Sequence, residues 1–330
     1  MTEPRLDRPV TLTFQGDWGQ ANMHRICGWL AQEVGDRSPV GSEFLIRSGR
    51  GGADAIYAVL SGKADVAIMT PTAAAGMVVA GSGPLAINGT DRLRALGTLP
   101  QRDRLVTCVD AALGVSSMGQ LAGRLSELRI ATSADDGVNL IGLAAHRQLA
   151  ALGIEPENLV SAGGSFLYSE RPFPAIEAFR EGAANVLIHE AIMTPSWQRV
   201  SDNRRVAYLD ADETVLSAFD EWRWPSAVVS QGFLPELDRD LAAIDFSDFL
   251  VLCSADLPDE VASLIAWCMV ATRNNLEVQY RHLAPDHSPI TYPLDPEAIA
   301  SAPIALHPSA AATYAAMHHD ERSSDALMWA

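Results

Sequence analysis

The residues of this chain best suited to chemistry fall in five short segments: 15–22, 47–54, 70–72, 132–139 and 189–195. His189 and Glu190 carry the acid–base potential, because histidine titrates near neutral pH and burial lifts a glutamate toward it. Neighbours on a strand face opposite ways, so these two work as a pair only if the strand has ended before them. Otherwise they bind or pack. In an enzyme, His189, Glu190 and Asp136 would be the proton-transfer groups. Arg47 and Arg50 flank a glycine-rich turn at 47–52 (RSGRGG) that includes Gly51. A guanidinium can grip a carboxylate with two hydrogen bonds, or it can sit in solvent. Trp18 can stack on a planar ligand or pack on its own lobe. Around it, Gly16, Asp17, Gly19 and Asn22 place N–H groups and an amide at a helix start. Thr70, just before Pro71, offers a hydroxyl. Asp135 and Asp136 either cap a helix expected from Val138, worth about 1 kcal/mol, or face an amine or a metal. Ser133, Gly137 and Asn139 complete that loop.

These segments are positioned by a repeated device. Residues 11–22 (TLTFQGDWGQAN) and 128–139 (LRIATSADDGVN) each read as a short apolar strand, a small polar turn with glycine, and then a helix. A helix that follows a strand in this way aims unpaired N–H groups at whatever lies beyond the strand's carboxyl end. Two such turns predict two α/β lobes facing one another across a cleft suited to a small, anionic molecule. Apolar spacing predicts strands at 10–14, 43–47, 64–69, 93–98, 105–109, 128–132, 184–188, 206–209 and 249–253, with another starting at Val160. Helices are expected at 21–34, 53–60, 138–152, 173–180 and 258–274. The β-α-β-α-β order predicts a parallel, doubly wound sheet. Residues 60–68 (LSGKADVAI) and 179–188 (FREGAANVLI) share a helix, glycine stop and strand, which supports two similarly built lobes.

Composition narrows the function. The chain has 330 residues, 48% of them hydrophobic, which is enough for two cores. With 41 acidic and 24 basic residues its formal charge is −17, which argues against nucleic acid and anionic membranes as partners. No apolar run is long enough for membrane insertion. Residues 1–10 hold no signal peptide, so the chain reads as cytoplasmic, or as periplasmic if a leader was removed. The four cysteines, Cys27, Cys108, Cys253 and Cys268, form no CxxC pattern and are expected to be free thiols, with Cys108 and Cys253 side by side at a hinge. No GxSxG, HExxH, P-loop or GxGxxG motif occurs, and no cofactor or metal site is expected.

The order of motifs resembles the TAXI-type solute receptors of TRAP transporters, within the class II periplasmic-binding-protein fold. The matching pieces are residues 16–19 (GDWG) before the first helix, 48–52 (SGRGG) before the second, 60–68, 121–139, and 304–311 (IALHPSAA) with Tyr314. Three features depart from that family: the charged loop 134–137 (ADDG), Ser309 in place of a usual glycine, and His189 with Glu190 at a strand end. The resemblance implies an α/β protein of two lobes, each a doubly wound sheet flanked by helices, joined by a two-strand hinge near 105–109 and 249–253. The first lobe would comprise 1–105 with 255–330, and the second 106–254. The implied function is binding of an organic acid or amino acid, with a membrane permease as partner if the protein is exported. The alternative is a cytoplasmic enzyme on the same scaffold, such as a cofactor-free decarboxylase or other lyase acting on a small carboxylate.

Overall fold

The computed structural model describes residues 3–17, 19, 21–191 and 194–328, with only the backbone at Thr194 and from 320 onward. Trp18 lies outside the described residues. The chain divides into two compact units, Met1–Val79 with Ala86–Gln101 and Asp248–Ala330, and Ala80–Leu85 with Arg102–Ser247.

The first unit is built on five strands: β1 (Thr11–Gln15), β2 (Glu43–Arg47), β3 (Val66–Met69), β4 (Leu93–Leu99) and β12 (Phe249–Ser254), in the order β2-β1-β3-β12-β4. β1 is parallel to β2 and β3, with Phe14 opposite both Ile46 and Val66. All four residues of β3 are buried, as an apolar run at the centre of a sheet covered on both faces should be. Helix Asn22–Gly35 turns Met23, Ile26, Cys27, Leu30 and Val34 inward at helical spacing.

The second unit holds β5 (Arg104–Asp110), β6 (Arg129–Thr132), β7 (Ser165–Tyr168), β8 (Val186–Glu190), β9 (Val206–Leu209), β10 (Ser226–Val229) and β11 (Leu241–Asp245). Their order is β10-β11-β5-β8-β6-β7, with β9 also on β5. β6 is parallel to β7 and β8. Phe179, Trp197 and Tyr208 pack with Val106, Ala131 and Leu187 in its core.

Three parallel strands in the spatial order second-first-third therefore open each sheet, β2-β1-β3 and β7-β6-β8. The expected all-parallel sheets are instead mixed. β12 runs antiparallel to β3 and β4, and β5 antiparallel to β8 and β11. The chain leaves the first unit along β4 and returns along β12, and strands that leave and return run opposite ways. For the same reason Phe249–Ser254, expected in the second lobe, completes the first unit's sheet. Cys108 and Cys253 are not neighbours, because one lies opposite Leu187 and Tyr208 and the other opposite Val66 and Arg94. Both are free and buried. Val160, read as a strand start, lies in helix Pro156–Ser161, where a proline in the first turn favours a helix.

The motif at 304–311 is a structural strap. Ala95 of β4 donates its N–H to the Ala305 carbonyl at 3.0 Å and accepts from the His307 N–H at 2.8 Å. The Tyr314 hydroxyl donates to the Leu96 carbonyl at 2.7 Å. The strap thus covers an otherwise open sheet edge. Among the described residues no helix is long and apolar enough to cross a membrane.

The loop after β6 is seated on helix Leu140–Ala151, which starts two residues later than expected, with Asn139 as its cap. Asn139 Oδ1 accepts from the N–H groups of Ile141 and Gly142, both at 3.0 Å. A Cβ on Gly142 would stand 1.9 Å from the Ala134 carbonyl oxygen. Gly142→Ala is therefore expected to cost about 2–3 kcal/mol, measured as a lower urea midpoint by circular dichroism. An unchanged midpoint would show that the loop yields freely.

Candidate ligand-binding site

In an open α/β sheet, a crevice forms beyond the carboxyl ends of the strands where successive connections switch faces. In the second-first-third order that point lies between the first and third strands: β1 and β3 in one unit, β6 and β8 in the other.

At the first unit's switch point the chain takes up most of its own polar groups. Asp17 is fully buried. Its Oδ1 accepts the Gly19 N–H at 3.3 Å and its Oδ2 the Met23 N–H at 3.2 Å, so it caps the helix that Ala21 leaves uncapped. Burial holds the Asp17 carboxyl above its ordinary range, and the Gly19 and Met23 amides offset that only in part. The glycine-rich turn is wrapped around Asp54, which takes the N–H groups of Arg50 and Gly52 at 2.7 and 3.0 Å and the Gln15 amide at 3.0 Å. The seat that the sequence offers to an external anion is filled by the chain's own carboxylate. Gly51 has φ +76° and lies against Met23, where a Cβ would be 2.4 Å from Cε. Gly16 is equally confined, since a Cβ there would approach the His24 Cα to 2.9 Å. The Asn22 Oδ1 accepts the Tyr280 hydroxyl at 3.1 Å. Arg47 points elsewhere, donating to the Lys63 carbonyl at 2.8 Å. The Thr70 hydroxyl donates to the Asp248 carbonyl at 3.0 Å and accepts from the Gln101 amide at 3.2 Å. These loops do meet: the Gly49 N–H reaches the Asp17 carbonyl at 3.0 Å and the Thr70 N–H the Gly51 carbonyl at 3.3 Å.

The second unit's switch point is the reverse case. Thr132, Ser133 and His189 are fully buried. Thr132 Oγ1, Ser133 Oγ, Ser169 Oγ and His189 Nε2 are buried atoms with no hydrogen-bond partner among the described residues. The four belong to the carboxyl ends of three adjacent strands. Thr132 pairs with Tyr168, so Ser133 and Ser169 each follow a paired residue, and the Ser169 N–H donates to the Thr132 carbonyl at 3.0 Å. Ala131 pairs with Leu187, two residues before Ser133 and His189. A buried polar atom left unpaired costs about 1–3 kcal/mol. By register Ser133, Ser169 and His189 share one face of the sheet while Thr132, level with Ile188, lies on the other, so the three on one face mark a place that expects an external partner.

The acidic loop beside them is occupied with its own turn. Asp136 Oδ1 accepts the N–H groups of Val138 and Asn139 at 3.0 and 2.9 Å, and Asp135 Oδ1 that of Gly137 at 3.4 Å. Both aspartates are exposed. Gly137 has φ +76°, the left-handed conformation the turn needs. His189 and Glu190 both lie within β8, so they face opposite sides and form no dyad. The Glu190 N–H donates to His189 Nδ1 at 3.0 Å, and the Glu190 carbonyl accepts the Trp197 indole N–H at 2.7 Å. Complete burial pushes the His189 imidazole down to about 3. Among the described residues no three metal-ligating side chains gather.

Thr132 and Asp54 stand at the ends of two expected segments without being singled out there, and Ser169 lies outside all five. Ser169 escaped notice because its strand, β7, is four residues long and half-buried. Its signal is the place just past an apolar pair, Phe166 and Leu167.

No protein-family model and no curated protein sequence matches the chain. Solved structures share its fold. MatC from Rhodopseudomonas palustris with bound malate is 14% identical, at TM-score 0.51, over 87% of this chain and 91% of that one. A Xanthomonas citri protein bound to ATP is 10% identical, at TM-score 0.51, over 87% and 92%. A periplasmic transporter structure is 11% identical, at TM-score 0.50, over 87% and 89%. The fold is thus that of the α/β periplasmic binding proteins, with two mixed sheets flanked by helices.

A histidine whose folded pKa lies below its unfolded value of about 6.5 binds fewer protons folded than unfolded. Its contribution is complete above pH 6.5 and is lost as pH falls toward 3. His189→Gln is expected to flatten the fall in unfolding free energy between pH 6.5 and 4 by up to one proton's slope, measured by urea titrations across that range. Parallel wild-type and variant curves would contradict a neutral buried imidazole.

Proposed function

We propose that this protein is a small-molecule binding protein, a solute receptor of the TAXI kind, which takes an organic acid or amino acid at the carboxyl ends of its parallel strands. The observation that carries the proposal is the group of three unpartnered buried polar atoms on Ser133, Ser169 and His189, which share a face at the second unit's switch point. Two hydroxyls and one ring nitrogen on that face offer uncharged hydrogen bonds to the oxygens of a small acid. The fold is shared with a malate-bound protein, which fits a ligand of this class. An exported form would hand its solute to a membrane permease.

The lyase alternative gains nothing from the geometry. An imidazole held near 3 is a weak base at neutral pH, Glu190 faces away from it, and Asp136 is bound into its turn.

Differential scanning fluorimetry against small carboxylates and amino acids is expected to give a rise in Tm with at least one compound, recovered chemically intact after incubation. Ser133→Ala should weaken that ligand about tenfold, by isothermal titration calorimetry. Conversion of the ligand would favour the enzyme, and undiminished affinity in Ser133→Ala would remove the site from this strand end.

A further inference from the structure

His189 differs in kind from the two serines that share its face. A hydroxyl can turn and either donate or accept, so Ser133 and Ser169 adapt to whatever arrives. A neutral imidazole has one donor and one acceptor. In His189 the acceptor is already committed, because Nδ1 receives the Glu190 main-chain N–H at 3.0 Å. The ring proton therefore sits on Nε2, whose N–H is buried, with no partner among the described residues. The backbone of β8 fixes the tautomer.

We propose that the His189 Nε2–H is the specificity-determining donor of this site, and that the solute atom it receives is an acceptor oxygen of a carboxylate or ketone, never an ammonium. This rests on the solute-receptor reading above and narrows its ligand class. An acceptor oxygen relieves the buried N–H and binds with the full gain of that hydrogen bond. An ammonium would leave the donor unpaired and set a second donor against it. Sites built around one committed hydrogen-bonding group reject the analogue that cannot answer it far more strongly than apolar pockets reject a misfit. Complete burial also disfavours the imidazolium, so recognition here runs through a neutral donor and not through an ion pair. The protein's charge of −17 would on its own draw amines, so preference for an acid would come from this local inventory.

Three measurements on the full chain test it. The first is long-range proton–nitrogen NMR of the ligand-free protein, with His189 assigned by loss of its signals in His189→Gln. It should show the Nε2–H tautomer at pH 7, and a protonated Nδ1 overturns the proposal. The second is calorimetry with straight-chain dicarboxylates and 2-oxo acids of two to six carbons, against diamines of matched length. Acids should bind and diamines should not. If no acid in the panel binds, the receptor reading fails; if diamines bind as well as acids, only this inference fails.

The third compares two variants on the tightest acid. Gln places its amide N–H near the position of Nε2, whereas Asn places its oxygen near that of Nδ1. Gln should stay within about threefold of wild type, and Asn should weaken binding at least tenfold while holding its Tm. A purely structural histidine gives the opposite order, with Asn unchanged in affinity and Gln losing Tm.

Discussion

The architecture depends on one constraint, the spatial order second-first-third of three parallel strands. Parallel neighbours need a crossover, and successive crossovers to opposite sides of the first strand lie on opposite faces of the sheet. The first and third strands therefore end without a connection above them. In the second unit this exposes the ends of β6 and β8, and in the first the ends of β1 and β3. Everything polar that could be read as a site is placed by this arrangement.

The two units answer the same geometry differently. In the first, acidic side chains of the chain itself enter the turns: Asp17 serves helix Asn22–Gly35 and Asp54 serves the glycine-rich turn. In the second, Asp135 and Asp136 stay outside and brace their own loop, while the hydroxyls and the imidazole at the strand ends are left open. One switch point is closed by internal hydrogen bonds and the other is held ready at a cost in stability, the usual mark of a functional surface.

The sequence made the order of elements plain where periodicity was strong, as in helix Asn22–Gly35 and β3. It named Ser133 and His189 because they follow apolar strands. Three things were hidden. The antiparallel sense of β12 and β5 depends on where the chain crosses between units, which no local pattern records. The roles of Asp54 and Asp17 depend on which amides curl back toward them, so a turn that reads as anion-binding already contains its anion. The strand β7 is too short to show alternation, and Ser169 was lost with it. His189 beside Glu190 suggested catalysis by residue type, but the direction of each side chain is decided by how far the strand continues.

The strap from Ile304 to Tyr314 has a consequence for how the chain matures on the ribosome. The second unit, apart from the short segment 80–85, is continuous and has all its strands once Ser247 has emerged. The first unit opens with β1 yet still needs β12 and the cover over Ala95, both of which follow the second unit's strands along the chain. The half begun first is thus finished last. Until β12 has emerged, β3 and β4 lack the strand between them and leave apolar edges uncovered.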